Sequence, residues 1–222
     1  MDSLPIDWSP LFVSFKTSVV ATAIAFLFGV VAARLVLQLR GRTQAILDGV
    51  FTLPMVLPPT VLGFFLLVFF GRNSPIGRLL MEIGIRIIFS WEATVIAAAV
   101  VAFPLIYKTV RASFEQIDPT VLQAARTLGL PEYLIFFRIM IPMAWPGAAA
   151  GSILGFARAL GEFGATLMIA GNIPGRTQTI PIAIFFSAEG GHMDLALMWV
   201  LIIVAISFSV IIAMNLLGRR KG

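Results

Sequence analysis

The sequence predicts an all-α membrane protein of about five spanning helices, with a sixth short or re-entrant segment. Three observations lead there. First, 59% of the 222 residues are hydrophobic and only 12% charged, with a mean hydropathy of +0.98. Soluble domains run at about 45–50% and about 25%, and a soluble core of 24.1 kDa cannot hide so much apolar surface. Second, five stretches approach the run of about 20 apolar residues that crosses a bilayer. Third, there is no cysteine and one histidine, His192. That removes disulfides and thiol chemistry and leaves almost no material for a zinc site or a histidine-containing triad. A disordered chain, a nucleic-acid module and a secreted disulfide scaffold are excluded together. Neither a metal nor a cofactor is expected.

The first span covers residues 11–37, with Lys16 and Arg34 near its ends, where long side chains can snorkel. Ahead of it, Met1-Asp2-Ser3-Leu4-Pro5 lacks the basic start of a cleavable signal, so this span is expected to be retained. The second, 47–70, has no charge after Asp48 until Arg72. It carries Pro54, Pro58 and Pro59, which kink or interrupt it. Interrupted helices in transporters mark the pathway, which makes Met55, Pro58 and Thr60 candidate gate neighbours. A permanent kink that merely helps packing is the other reading. Arg78, Glu82 and Arg86 then recur every four residues, as on one face of a short interfacial helix.

The third span covers 91–107, with Pro104 as a second bending point. The fourth covers 139–160. In it Gly147, Gly151, Gly155 and Ala159 form a stripe of small residues along which another helix can approach closely. The stripe serves either packing within the chain or a subunit interface or pathway. Residues 163–170 are apolar but short, either extending the fourth span or re-entrant. The fifth span covers 195–217, followed by Gly218-Arg219-Arg220-Lys221-Gly222, and no appended soluble domain is expected. No internal repeat is evident. One membrane domain, 1–222, is expected to carry an inner loop at 108–138 and an outer loop at 161–194.

Five spans put the termini on opposite sides. With the N-terminus outside, ten basic residues face the cytoplasm (Arg34, Arg40, Arg42, Lys108, Arg111, Arg126, Arg138, Arg219, Arg220, Lys221) and six the other side. The positive-inside rule therefore favours N-out, C-in.

The inner loop is punctuated as a helix. Asp118 can cap, Pro119 suits the first helical position, and Gly129 suits a left-handed stop. Pro131 opens a second short helix. Val121, Leu122, Ala125 and Leu128 fall on one apolar face, and Ala124 and Ala125 permit close approach. Such a knob either docks something or packs back on its own spans.

The run Gln123-Ala124-Ala125-Arg126-Thr127-Leu128-Gly129, nine residues, then Ile139-Met140-Ile141-Pro142 resembles the EAA loop of ABC importer permeases. The spacing matches throughout, with Gln123 in place of Glu and Ile141 in place of Leu. The Gln keeps its hydrogen bonding but not the charge. The resemblance implies the type I (MetI-like) permease architecture and a coupling helix seated in a groove of a separate nucleotide-binding (ATPase) subunit. Carried over position by position, the coupling residues would be Gln123, Ala124, Ala125, Leu128, Gly129 and Pro131. The chain has no phosphate loop of its own, since none of its three lysines follows a glycine.

Ala157-Arg158-Ala159-Leu160-Gly161-Glu162-Phe163-Gly164-Ala165-Thr166 and Gly171-Asn172-Ile173-Pro174-Gly175-Arg176-Thr177-Gln178-Thr179-Ile180-Pro181 resemble the molybdate permease subfamily, kin to tungstate and sulfate permeases. The resemblance extends over roughly residues 91–181. It implies ATP-driven uptake of a tetrahedral dianion, molybdate first, across the inner membrane by alternating access. It also implies an extracytoplasmic oxyanion-binding protein and a second copy of the chain as partners. Arg158 and Glu162 lie four apart near a span end. Either Arg158 belongs to the anion pathway, with Glu162 setting its charge or touching the binding protein, or the two form a pair that orders the helix end. Asn172, Arg176 and Thr177 either dock the binding protein or, with Gly175 and Thr179, shape the outer loop. His192 reads as a loop residue.

Two other classes fit the sequence less well. A passive anion channel would show a ring of repeated polar residues along one span, and none is evident. An intramembrane enzyme would need a buried nucleophile with its base or paired acids, yet Asp48, Glu92 and Glu162 sit only at span ends.

Overall fold

The structure, a computed structural model, describes residues 7–219, and side chains only as far as 213. The acidic start at residues 1–5 and the orientation-setting Arg220 and Lys221 lie outside the described residues. Eleven α-helices are described: α1 (Ser9–Gln38), α2 (Arg42–Val56), α3 (Pro59–Phe70), α4 (Pro75–Glu82), α5 (Trp91–Glu115), α6 (Pro119–Thr127), α7 (Glu132–Ile135), α8 (Ile141–Leu160), α9 (Gly164–Ala170), α10 (Ile180–Glu189) and α11 (Met193–Arg219). A π-helical turn, Phe136–Met140, joins α7 to α8 into one apolar rod of 29 residues. Among the described residues four helices are long and apolar enough to cross a membrane, and α2 with α3 forms a bent apolar pair, a broken span or a re-entrant loop.

The core is a sandwich of α1, α5 and α8 built on small residues. Ala21, Ala25, Gly29, Ala32 and Ala33 of α1 are buried, as are Ala98, Ala99 and Ala102 of α5. In lipid no hydrophobic force drives helices together, so close backbone approach and dispersion must do it. A Cβ on Gly29 would lie 3.3 Å from the Tyr107 amide nitrogen. Hydroxyls of α1 turn to carbonyls four residues back, buried Ser18 to Ser14 at 2.8 Å and half-buried Thr22 to Ser18 at 2.6 Å. The stripe on α8 belongs to this intramolecular seam. Added Cβ atoms at Gly147, Gly151 and Gly155 would meet Ser113, Thr109 and Ile106 of α5. Packing within the chain is therefore its role here, which retires the subunit-interface reading.

The prolines act unequally. α2 runs through Pro54 to Val56, α5 through Pro104 and α8 through Pro146. The break comes at Leu57-Pro58, both extended (ψ 141° and 139°), because a residue before proline is excluded from the helical region and Pro58 itself precedes Pro59. Pro59 then restarts the chain at the first turn of α3, bent 111° from α2. The π-turn has a similar origin. Pro142 lacks the N–H that would bond the Arg138 carbonyl, and its ring would crowd that oxygen, so the backbone widens just upstream.

Three segment bounds in the structure differ from those expected. α4 ends at Glu82 and Gly84 turns at φ 81°, so Arg86 lies beyond the helix and does not share a face with Arg78 and Glu82. Residues 161–194, expected as an outer loop, hold α9 and α10. α10 is apolar and packs on α11 and α1, with Ile180, Ile182 and Ala183 buried. The inner connection is likewise shorter than 108–138, because α5 continues to Glu115 and the next rod starts at Glu132.

α9 lies against α3. A Cβ on Gly63 would stand 2.6 Å from Met168 Cβ and 2.9 Å from Ala165 Cα, so Gly63 is a point of backbone contact that cannot widen locally. Gly63→Val is expected to push α9 off α3 and destabilise the protein by about 1–3 kcal/mol. Thermal unfolding in detergent reads this as a lowered midpoint.

Candidate functional site: the knob and the broken span

α6 forms as its sequence dictates. The Asp118 carboxylate accepts from the Thr120 amide at 2.8 Å, and Pro119 fills the first helical position. That hydrogen bond holds the Asp118 carboxyl below its ordinary pKa. A depressed carboxylate stabilises above its unfolded pKa and loses the effect only as pH falls through the folded value, so the cap is intact at neutral pH. At the other end Gly129 sits at φ 77°. Its N–H donates to Arg126 O at 2.9 Å, and Leu130 N–H donates to Ala125 O at 3.1 Å. This pair of bonds is a Schellman stop, which only a residue at ease in the left-handed region can complete.

The apolar face read from the sequence divides in two. Ala125 is buried (5% exposed) and Leu122 half-buried against the chain's own core, whereas Val121, Gln123, Ala124 and Leu128 (81% exposed) point outward. The reason is angular. The side of a nine-residue helix that seats it on the bundle is narrow, so residues one position away already face out. Ala125 therefore anchors the knob on the chain's own core. Gly129 and Pro131 shape the exit.

The knob is also tied by charge. Glu132 accepts from Arg126 Nε at 2.6 Å through one oxygen and from Arg34 Nη2 at 2.9 Å through the other. One carboxylate thus joins α6 and α7 to the end of α1. A second cluster, Asp48 Oδ1 accepting from Tyr107 Oη at 2.8 Å and Arg111 Nη1 at 2.6 Å, ties α2 to α5 beside the aromatic packing of Phe51 on Tyr107. Sequence reading missed both roles. The available signal was Asp48 itself, an acid in an apolar run that needs a partner. That partner lies 63 residues away.

Met55, Pro58 and Thr60 flank the break, and all three are exposed. The start of α9 is placed against the start of α3, since a Cβ on Gly164 would lie 3.1 Å from Pro59 Cβ and 3.4 Å from the Thr60 amide nitrogen. Just before it, Arg158 Nη1 bonds Glu162 Oε2 at 2.8 Å while Glu162 Oε1 accepts from the Ala165 amide at 2.9 Å. The Arg158–Glu162 pair therefore forms, and Glu162, 2% exposed, is not presented to any outside partner. Arg158 keeps a third of its side chain open.

The outer turn is self-contained. Thr177, fully buried, accepts from Ile173 N–H at 3.0 Å, and Asn172 Oδ1 accepts from Gln178 Nε2 at 2.9 Å. Gly175 N–H reaches Ser9 Oγ at 3.1 Å and Ile180 N–H reaches Ser14 Oγ at 2.7 Å, tethering the turn to α1. Thr177 and Asn172 thus shape the loop. Of the three proposed docking residues only Arg176 is exposed. His192 is an exposed loop residue whose N–H donates to Ser187 O.

A close-packed bundle of apolar helices with a bent helix pair and one projecting knob is the architecture of a polytopic membrane protein. The chain belongs to the family of binding-protein-dependent transport system inner membrane components, whose model matches residues 25–222. It is 46% identical over 202 residues to the permease YvgM of Bacillus subtilis, covering 90% of this chain and 89% of that one. It is 40% identical over 210 residues to the molybdenum transport system permease protein ModB of Escherichia coli K12, covering 93% and 92%. Among solved structures, a chain of the MetNI methionine ABC transporter in an inward-facing conformation superposes with a TM-score of 0.76, covering 98% of both chains at 16% identity, a likeness of fold.

Proposed function

We propose that this chain is the transmembrane subunit of an ATP-driven ABC importer that moves molybdate, or a like tetrahedral oxyanion, across the inner membrane by alternating access. The similarity to ModB over nine-tenths of both chains carries this reading. Hydrolysis of ATP belongs to a separate nucleotide-binding subunit, and the exposed residues Gln123, Ala124 and Leu128 are its contact. Glu132 passes the push from the knob to α1. Two copies of the chain enclose the path, an extracytoplasmic binding protein supplies the anion, and the N-terminus lies outside with the C-terminus in the cytoplasm.

The electrostatics suit an anion that must not linger. The N-terminal end of α3 lies at the break, and its helix dipole attracts negative charge, although Val61 and Leu62 N–H already donate to Pro58 O at 2.9 and 3.2 Å. Arg158 lies near, with its charge largely offset by Glu162. A weak positive bias without a deep fixed site lets a dianion pass and leave. Selection among molybdate, tungstate and sulfate falls to the binding protein.

Labelled molybdate uptake against excess tungstate and sulfate, in cells with and without this chain, tests the substrate. Uptake that needs the chain and that sulfate fails to suppress supports molybdate. In the same assay Arg158→Ala is expected to cut uptake about tenfold. Unchanged transport removes Arg158 from the pathway.

A further inference from the structure

We propose that the chain carries a groove for an anionic glycerophospholipid in the leaflet on the knob's side. It rests on the membrane-spanning fold alone and not on the transported substrate.

A cavity of about 270 Å³ opens on the flank of the bundle between α1, α5, the π-turn and α8. Its walls include Phe26, Val30, Phe114, Phe136, Phe137 and Trp145. Its floor is Ala144 and Ala148, buried and too small to fill it. Phe136 and Phe137, successive residues of the π-turn with ring centroids 5.1 Å apart, both line it. Phe26 and Trp145 meet edge to face at 6.4 Å, linking the two walls.

The mouth is basic. Arg34 Cζ stands 5.6 Å over the Phe136 ring, and exposed Arg138 lies within the π-turn between Phe137 and Ile141, both lining residues. Arg34 shares its charge with Glu132, while among the described residues Arg138 makes no ion pair. Eight residues separate Phe26 from Arg34 and seven separate Arg138 from Trp145, about 10–12 Å along either helix. So both walls place cation and apolar end at the same separation. A phosphate at the arginines with an acyl chain running inward to Trp145 satisfies both ends. A helix of a second copy would fill the walls but leave Arg138 without a partner. Basic pockets between membrane helices recognise anionic headgroups in this way.

The test uses the assembled transporter in nanodiscs of chain-brominated phosphatidylglycerol or phosphatidylcholine. Trp145 emission is the difference between wild type and Trp145→Phe. Brominated phosphatidylglycerol is expected to occupy the site about fivefold more than phosphatidylcholine, the preference conferred by one basic side chain at a membrane surface, and Arg138→Gln is expected to bring the two lipids to parity. Equal quenching by both lipids in the wild type means ordinary boundary lipid and overturns the proposal. Quenching by neither means that a polypeptide covers the groove and also overturns it. Should Trp145→Phe fail to assemble, the ratio of total quenching by the two lipids, wild type against Arg138→Gln, reads the same preference, and an unchanged ratio overturns it.

Discussion

Ala124→Arg is expected to abolish ATP-driven uptake, by a hundredfold or more, in a protein that still folds and inserts. Ala124 is exposed on the outward side of α6, so within the chain the change is a surface substitution costing no more than about 0.5 kcal/mol. At a close-packed contact the same change forces a long side chain into a gap sized for a methyl group and buries a charge with no partner, at several kcal/mol. Each 1.4 kcal/mol is tenfold in association, so loss of the ATPase subunit from the complex should accompany loss of transport. Ala125→Arg makes the contrast. Ala125 is buried in the chain's own core, so that change should destabilise the knob itself and lower the thermal midpoint of the isolated permease, which Ala124→Arg should leave in place. Co-purification with the ATPase and thermal unfolding of the permease alone separate the two.

Glu162→Ala carries the largest expected cost to stability. It deletes at once the partner of Arg158 and the acceptor of the Ala165 amide, from a site where the carboxylate is 2% exposed. Breaking a buried pair by removing one member costs about 3–5 kcal/mol, chiefly because the other charge is left uncompensated. Arg158 remains one-third exposed, which places the effect at the lower end of that range. Glu162→Gln keeps the acceptor and the shape and should cost less. The double change Arg158→Ala with Glu162→Ala should recover part of the loss, since no stranded charge remains. A double variant that unfolds below Glu162→Ala in thermal denaturation would mean that the two side chains stabilise separately and not as a pair.

The membrane class, the spans and the knob's ends were legible because each follows from local chemistry. Apolar run length, a proline-led start after Asp118 and a glycine stop at 129 need no distant partner. The break in the second span was legible too, though its site was fixed by the Pro58-Pro59 doublet and not by Pro54, which the helix absorbs. What was not legible depends on chain segments that meet only after folding. Ala125 and Leu122 face inward because of where α6 lands on the bundle. Thr177 is consumed by its own turn. Glu132 joins Arg34 across 98 residues, and the glycine stripe on α8 faces α5 and not a second subunit. Periodicity finds a face but does not say which neighbour it meets.

The exposed flank of the knob is the part of this account that everything else leans on. The chain has no cysteine, so Ala124→Cys supplies a single thiol there. Its rate of maleimide labelling, with and without the ATPase subunit, measures directly whether that flank is gripped. The account predicts labelling slowed tenfold or more in the complex and restored when the ATPase is stripped away. Equal rates in both, with the complex intact, would contradict it.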